Sequence, residues 1–251
     1  MASSSSPYGL QPRNLLGGQG FAGSTRMYAI PSGYAVTIQY GDPVIIVNTG
    51  STRGTLARFN ATTTATTVTS TGGGFGFVGV FVGCTYTDPA LGRVFRQNYP
   101  AGTVASDIQA YVIDDPDALF TVQADGSLGQ TALGTNAALI QTVAGSSVAN
   151  RISGVGLQAS SVATTNTLPV RIVGFVDGPT STIGDAFTDV IVRINTHFHR
   201  TGNTGSAGTA ATGTEPAPRA PSCRRRDAGR SRRPATSDAS RQTSDRSRRR
   251  R

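Results

Sequence analysis

The chain has 251 residues, enough for one or two ordinary domains, and its charge is divided unevenly along its length. Residues 1–200 contain ten Arg and ten Asp with no Lys and no Glu, whereas residues 201–251 contain thirteen Arg against four acidic residues. The formal charge of +9 therefore belongs to the C-terminal part, which excludes a strongly basic globular body. A neutral body has little electrostatic repulsion between copies, which suits a protein that packs into an assembly.

Residues 1–25 predict an extended N-terminal arm, because Ser, Pro and Gly recur too often for a regular element. The arm nevertheless contains apolar side chains that a solvated linker would lack: Tyr8, Leu10, Leu15, Leu16 and Phe21. We expect these residues to contact another subunit, and a disordered terminus is the alternative. The arm lacks a basic segment followed by an apolar one, and no apolar run approaches about 18 residues. We therefore expect neither a secretory signal nor a membrane span.

Short strands separated by turn residues are predicted after the arm. Pro31-Ser32-Gly33 and Gly41-Asp42-Pro43 are the turn signals, and their spacing is typical of a β-barrel or sandwich. The predicted strands are Met27–Ile30, Ala35–Gln39 and Val44–Val47, with another within residues 51–59. Residues 61–74 are rich in Thr and end in three Gly, which indicates an exposed strand or loop edge.

The longest β-forming stretch is Phe75–Gly126. It begins with the run FGFVGVFVGC, passes a Pro/Gly turn to a short aromatic strand, and ends in two strands separated by Asp114-Asp115-Pro116-Asp117. Val, Phe, Tyr and Ile occupy the strand positions, while Gly, Pro and Asp occupy the breaks. This stretch is expected to supply the central strands of the core.

The remainder of residues 26–200 also favours strands. A helix is predicted only at residues 132–143, where Gly134 and Thr135 weaken it, and further strands are predicted near Ile152–Leu157, at Leu168–Val176 and at Asp189–His197. We therefore predict one all-β domain at 26–200, an antiparallel β-barrel or a jelly-roll-like sandwich. Residues 201–251 have low complexity and no apolar periodicity, which predicts a disordered tail.

Few residues in the sequence suggest a catalytic, metal-binding or cofactor-binding site. The acidic cluster at 114–117 lacks the ligand spacing of a cation site and indicates a turn. His197 and His199 lie two apart without a third ligand nearby in sequence, so we expect a surface pair at the end of the last strand. Cys84 lies in an apolar run and is expected to be a small buried side chain rather than a disulfide partner of Cys223. We expect no enzyme activity, cofactor or metal.

The Arg-rich tail is the one polycationic feature. Arginine side chains pair with phosphate as bidentate donors, so the tail could bind nucleic acid in a salt-dependent way. A solvated disordered end and an out-of-frame extension are the competing interpretations. The residues concerned are Arg224, Arg225, Arg226, Arg248, Arg249, Arg250 and Arg251.

Four segments in the same order, between about residues 7 and 205, carry a resemblance to a known family. They are PYGLQP with the sequence from GGQGFAG to PVIIV, VGVFVGCTYTDPALGRVFRQNYPAG, AYVIDDPDALFTVQADG, and VRINTHFHRTGNTG. The chain resembles a family of virion structural proteins of tailed, often marine, bacteriophages, described as capsid decoration or cement proteins. In the family that the chain resembles, members end near the position of Gly205, so the basic tail departs from that family.

The resemblance implies an all-β protein on the outer surface of a phage head. Its partners would be the major capsid protein and its own copies, often as trimers that bridge neighbouring capsomers. The alternatives are a nucleic-acid-binding β protein that uses the Arg-rich tail and a phage tail or fibre component. The resemblance identifies no individual binding residues.

Overall fold

The computed structural model describes residues 4–48, 50–59, 74–141, 151–166, 168–179 and 181–200. Within these ranges the chain forms twelve strands and one short 3-10 helix, Gln130–Ala132. The strands are β1 (Gln11–Leu15), β2 (Arg26–Ala29), β3 (Pro43–Val47), β4 (Leu56–Arg58), β5 (Gly74–Asp88), β6 (Gly92–Arg96), β7 (Gln109–Ile113), β8 (Ala118–Gln123), β9 (Asn136–Gln141), β10 (Val155–Ala163), β11 (Val170–Phe175) and β12 (Asp189–Ile194).

The strands form two antiparallel sheets. The first sheet has the order β1-β8-β12-β11-β9-β10, and the second has the order β2-β7-β5-β3-β4, with β6 also paired to β5. Each sheet has its own end strands, so the all-β prediction is confirmed as a sandwich rather than a closed barrel. The turn at 114–117 carries the chain from β7 in the second sheet to β8 in the first.

The main core lies between the two sheets. Phe77, Val80 and Ile113 of the second sheet belong to the same buried cluster as Phe120 and Val122 of the first. Full burial of each such side chain stabilises the fold by about 1.5–3 kcal/mol relative to exposure. The sandwich is therefore held together mainly by apolar side chains that alternate along facing strands.

A second core covers the opposite face of the second sheet. Val78, Phe81 and Val112 pack there against residues of the connecting segments, including Ile38 and Tyr99. Ile38, in the segment between β2 and β3, also forms an isolated antiparallel bridge with Tyr99, in the segment between β6 and β7. Strand β5 is thus buried on both faces, which explains why its sequence is a nearly continuous apolar run rather than an alternating one.

Two predictions about secondary structure are wrong. The segment expected to be a helix, residues 132–143, instead contains the end of the 3-10 helix and strand β9. Gly134 has a positive φ of 80°, which interrupts a right-handed helix, and β9 pairs with β10 on one side and β11 on the other in the first sheet. Residues 35–39 were predicted to form a strand but contain only the isolated bridge of Ile38.

The N-terminal segment also differs from its prediction as an arm without regular structure. Residues 11–15 form β1, an edge strand that pairs with β8 through a bulge near Pro12. An edge position tolerates Pro because the missing N–H is not needed by a second neighbour. The Thr-rich edge was predicted at residues 61–74. Residues 61–73 lie outside the described residues, as do 142–150 and 201–251, and Gly74 is the first residue of β5.

Candidate functional site

A row of apolar side chains crosses one part of the second sheet. Ile113 faces the core between the sheets, and Tyr111, two residues before it on β7, points to the same face. Met27 on β2 is paired directly with Tyr111. Phe95 on β6 extends the row, because its ring centroid lies 5.9 Å from that of Tyr111. We call Met27, Tyr111 and Phe95 the apolar row.

Most of the apolar row is open to solvent, unlike the core residues on the same face. Phe95 is 65% exposed and Met27 is 58% exposed, while Tyr111 is partly buried. Leu91, at the tip of the β5–β6 hairpin, is 69% exposed. Single exposed apolar residues are ordinary, but apolar residues in contact with one another form a patch of the kind that marks a docking surface.

Gly83 allows Phe95 to lie across β5. It is paired with Tyr111, so a side chain there would point into the row. A Cβ atom built on Gly83 would lie 2.8 Å from Phe95 Cζ and 3.0 Å from the carbonyl oxygen of Arg96. The absence of a side chain at Gly83 therefore lets the Phe95 ring approach Tyr111.

An edge strand borders the apolar row. β2 is the end strand of the second sheet, and the N–H of Ile30 donates to Ile108 O at 3.2 Å. Because backbone groups alternate in direction along an antiparallel strand, Met27 and Ala29 direct their N–H and C=O groups away from β7. No strand among the described residues pairs with that side of β2, so it can add a strand from another chain.

A charged cluster around Asp114 lies at one end of the unpaired edge of β2. Asp114 Oδ2 accepts a hydrogen bond from Tyr28 Oη at 2.8 Å and lies 3.1 Å from Arg26 Nε and 3.3 Å from His199 Nε2. Burial, followed by the bond to Asp114, raises the pKa of Tyr28 to about 12. The phenol is therefore neutral at physiological pH and acts as a donor.

The prediction that residues 114–117 form a turn is confirmed, and the turn also holds ion pairs. The Asp117 N–H donates to Asp115 Oδ1 at 2.8 Å, and the Ala118 N–H donates to Asp115 O at 3.2 Å. Asp117 in turn accepts bonds from the guanidinium groups of Arg193 and Arg200. The turn thus attaches β12 and the segment after it to the junction between the sheets.

The expectation of a surface histidine pair is wrong for His197. Its side chain is fully buried, and its backbone forms a parallel bridge to Phe77 of the second sheet. His199 is only partly exposed, and the two imidazole centroids are 5.5 Å apart. The chain does not end its contacts at β12 but continues into the second sheet, which the local pattern could not indicate.

The apolar residues predicted to contact another subunit are mostly used within the chain. Leu10 is fully buried in the core between the sheets, and Leu15 and Phe21 pack against that core. Tyr8 Oη donates to Asp189 Oδ1 at 3.1 Å. Leu16, at 46% exposed, is the member of the set that remains open for an intermolecular contact.

A buried polar pair stabilises the region beneath the N-terminal segment. Asp42 is fully buried, and it accepts bonds from Ser153 Oγ at 2.5 Å and from the Gln39 N–H at 2.8 Å. Burial raises the pKa of Asp42, and these two hydrogen bonds oppose the rise. The pair joins the turn before β3 to the chain entering β10, and we assign it a structural role.

Of the cysteine and arginine residues singled out in the sequence, the structure describes only Cys84. Cys84 is a buried free cysteine, as predicted, and burial raises the pKa of its thiol to about 12. Cys223 and the seven arginines singled out in the tail lie outside the described residues. Among the described residues, no three His, Cys, Asp or Glu side chains converge to form a metal site, and no helix is long and apolar enough to cross a bilayer.

The sequence prediction overlooked the apolar row. The available signal was weak, since GRVFR places Phe95 between two arginines on a hairpin strand, where a solvent-facing polar residue is expected.

The chain matches no protein-family model, and comparison with curated proteins and with solved structures finds no similar protein.

Proposed function

We propose that the chain is a structural protein of a tailed-phage virion, a decoration or cement protein that binds the outside of the head. The observation that carries the proposal is the exposed apolar row beside the unpaired edge of β2. Aromatic and Met side chains are enriched in protein interfaces. Burying the exposed parts of Met27 and Phe95 would contribute about 1–2 kcal/mol each.

The charge distribution supports the same proposal. Residues 1–200 carry ten positive and ten negative side chains, so neighbouring copies on a shell would not repel one another strongly. This property suits a protein that is concentrated on a repeating surface. The sequence resemblance to phage decoration proteins indicates the major capsid protein and further copies of the chain, as trimers, as the partners.

The proposed mechanism is thermodynamic linkage. A protein that binds the assembled shell but not separate capsomers lowers the free energy of the shell by an amount that grows with its free concentration over its Kd. Binding across the boundary between capsomers would give this selectivity, because the complete binding surface exists only in the assembled shell. The internal pressure of packaged DNA then has to overcome the added binding free energy.

Quantitative mass spectrometry of purified virions from the encoding phage tests the proposal. We expect hundreds of copies per head, because a decoration protein follows the capsid lattice. A few copies per particle would instead indicate a tail or fibre component, and absence from the virion would refute both.

The role of the apolar row is tested with purified protein and undecorated heads. Phe95→Ser and Met27→Ser should each weaken head binding about tenfold, which corresponds to about 1.4 kcal/mol. Val104→Ser is the control, because Val104 is 77% exposed and lies outside the row. Unfolding curves of the three variants show whether each remains folded. Wild-type affinity in both row variants would contradict the assigned surface.

A further inference from the structure

The segment after β12 connects the two sheets. The Phe77 N–H donates to Thr196 O at 3.1 Å, and the Phe198 N–H donates to Phe77 O at 2.6 Å. Strand β7 pairs with β5 only as far as Val80, so this segment takes the next positions along β5. We call residues 196–200 the latch, because they follow the last contacts with the first sheet, made by Asn195, and are held on the second.

The geometry of His197 fixes its protonation state in the latch. Its Nδ1 accepts a hydrogen bond from the backbone N–H of His199 at 3.1 Å, so Nδ1 carries no proton and the ring is neutral. Protonation would convert Nδ1 into a donor that faces another donor. Because the side chain is fully buried, the new positive charge would also lack solvation by water.

The charged groups around His197 do not compensate for protonation. Asp114 and Asp115, on the turn between β7 and β8, favour the charged ring, as does the backbone of Val78 on β5, whereas His199 on the latch disfavours it. Asp114 is already shared by Arg26 and Tyr28 of β2 and by His199. Burial dominates and, with His199, lowers the pKa of His197 to about 4.

We propose that the latch is an acid-released switch, in which protonation of His197 detaches residues 196–200 from β5 while the rest of the sandwich stays folded. Release would break the bonds of the latch to Asp114 and Asp117 and uncover the backbone groups of Phe77. The switch is a property of the chain itself and does not depend on the proposed place in a virion.

The direction of the pH effect follows from linkage. The pKa of His197 is about 4 in the latched state and returns toward its ordinary value of 6.5 when the ring is exposed. The released state therefore binds more protons between these values, so the latch is fully stable above about pH 6.5 and weakens as the pH falls toward 4. One proton changes the equilibrium up to about tenfold per pH unit, or about 300-fold over the whole interval.

Amide hydrogen exchange by NMR on the full chain tests this inference. After correction for intrinsic rates, the protection of the Phe77 and Phe198 amides should fall by up to about 300-fold between about pH 6.5 and 4. Amides of β9 and β11 should change much less. If latch and core amides lose protection in parallel, the acid transition is global and the inference is wrong.

Two variants separate His197 from the other titrating groups. His197→Gln removes the titration, so the latch amides should lose their separate pH dependence, whether Gln holds the latch closed or leaves it open. His199→Gln is the matched control, and it should keep the pH dependence because His197 remains. A pH dependence that survives in His197→Gln, or that disappears in His199→Gln, would overturn the assignment.

Discussion

Gly79 offers the sharpest test of the packing between β5 and β7. It lies on β5 immediately before the residue that pairs with Ile113 at the end of β7. A Cβ atom at residue 79 would lie 1.8 Å from Ile113 O, 2.7 Å from the Ile113 carbonyl carbon and 3.1 Å from Asp114 Cα. All three neighbours are backbone atoms, so rotation of a side chain cannot relieve the contact.

The cost of Gly79→Ala follows from that distance. Real Cβ contacts essentially never fall below 3.0 Å, so the strands must separate by at least 3.0 minus 1.8, or 1.2 Å. Overpacking costs about 1–3 kcal/mol, and weakened β5–β7 hydrogen bonds cost about 1 kcal/mol each. Reduced entropy of the unfolded chain offsets about 0.4–1 kcal/mol. We expect a net loss of about 3 kcal/mol in the free energy of unfolding.

Urea unfolding monitored by far-ultraviolet circular dichroism measures this loss. Gly174→Ala is the matched control, since Gly174 also lies in a strand but its nearest neighbour would be Ile191 Cδ1 at an ordinary 3.5 Å. The control should be as stable as wild type or more stable by up to about 1 kcal/mol, because the same entropy gain applies there without a clash. A Gly79→Ala protein equally close to wild type would refute the reasoning about the β5–β7 contact.

Three further predictions concern buried residues. Leu10→Ala should destabilise the isolated chain by about 2–5 kcal/mol in urea unfolding, because Leu10 is fully buried. Leu16→Ala should cost less than about 1 kcal/mol, because Leu16 is 46% exposed. Equal losses in the two variants would contradict the intrachain role of Leu10. Ser153→Ala should cost about 1–3 kcal/mol in the same assay, because the buried Asp42 carboxylate loses a hydrogen-bond donor. The loss should also raise the pKa of Asp42 further. An NMR titration that finds this pKa unchanged or lower would count against the account. With Cys223 changed to serine, Cys84 should react with a thiol reagent only after denaturation, because it is buried and burial raises the pKa of its thiol to about 12. Rapid labelling of the folded protein would contradict the burial of Cys84.

Local sequence patterns were sufficient to predict strands where apolar, β-branched residues are bounded by residues that favour turns. The Val- and Ile-rich segments bounded by Gly, Pro and Asp became β3, β11 and β12. The continuous run in β5 reflects burial on both faces. The turn at 114–117 was also predictable, because its Asp side chain bonds backbone groups two residues away in sequence.

Predictions failed where a distant neighbour decides the structure. The segment ALGTNAALIQ has helix-forming residues, yet β9 is held as a strand by β10 and β11 on its two sides. Pro12 lies in β1 because β8, more than a hundred residues later, supplies a partner for an edge strand. Propensity is a weak preference, and tertiary pairing overrides it.

The sequence by itself determined the all-β class, the neutral body, most strand positions and the acidic turn, since these depend on residues close together along the chain. Only the tertiary structure decided that β7 and β8, adjacent in sequence, belong to different sheets. It also decided that His197 is buried and that Met27, Tyr111 and Phe95 form one exposed row. Both results depend on which strands pair and which part of a sheet stays uncovered, and backbone hydrogen bonds between segments far apart in sequence set that arrangement.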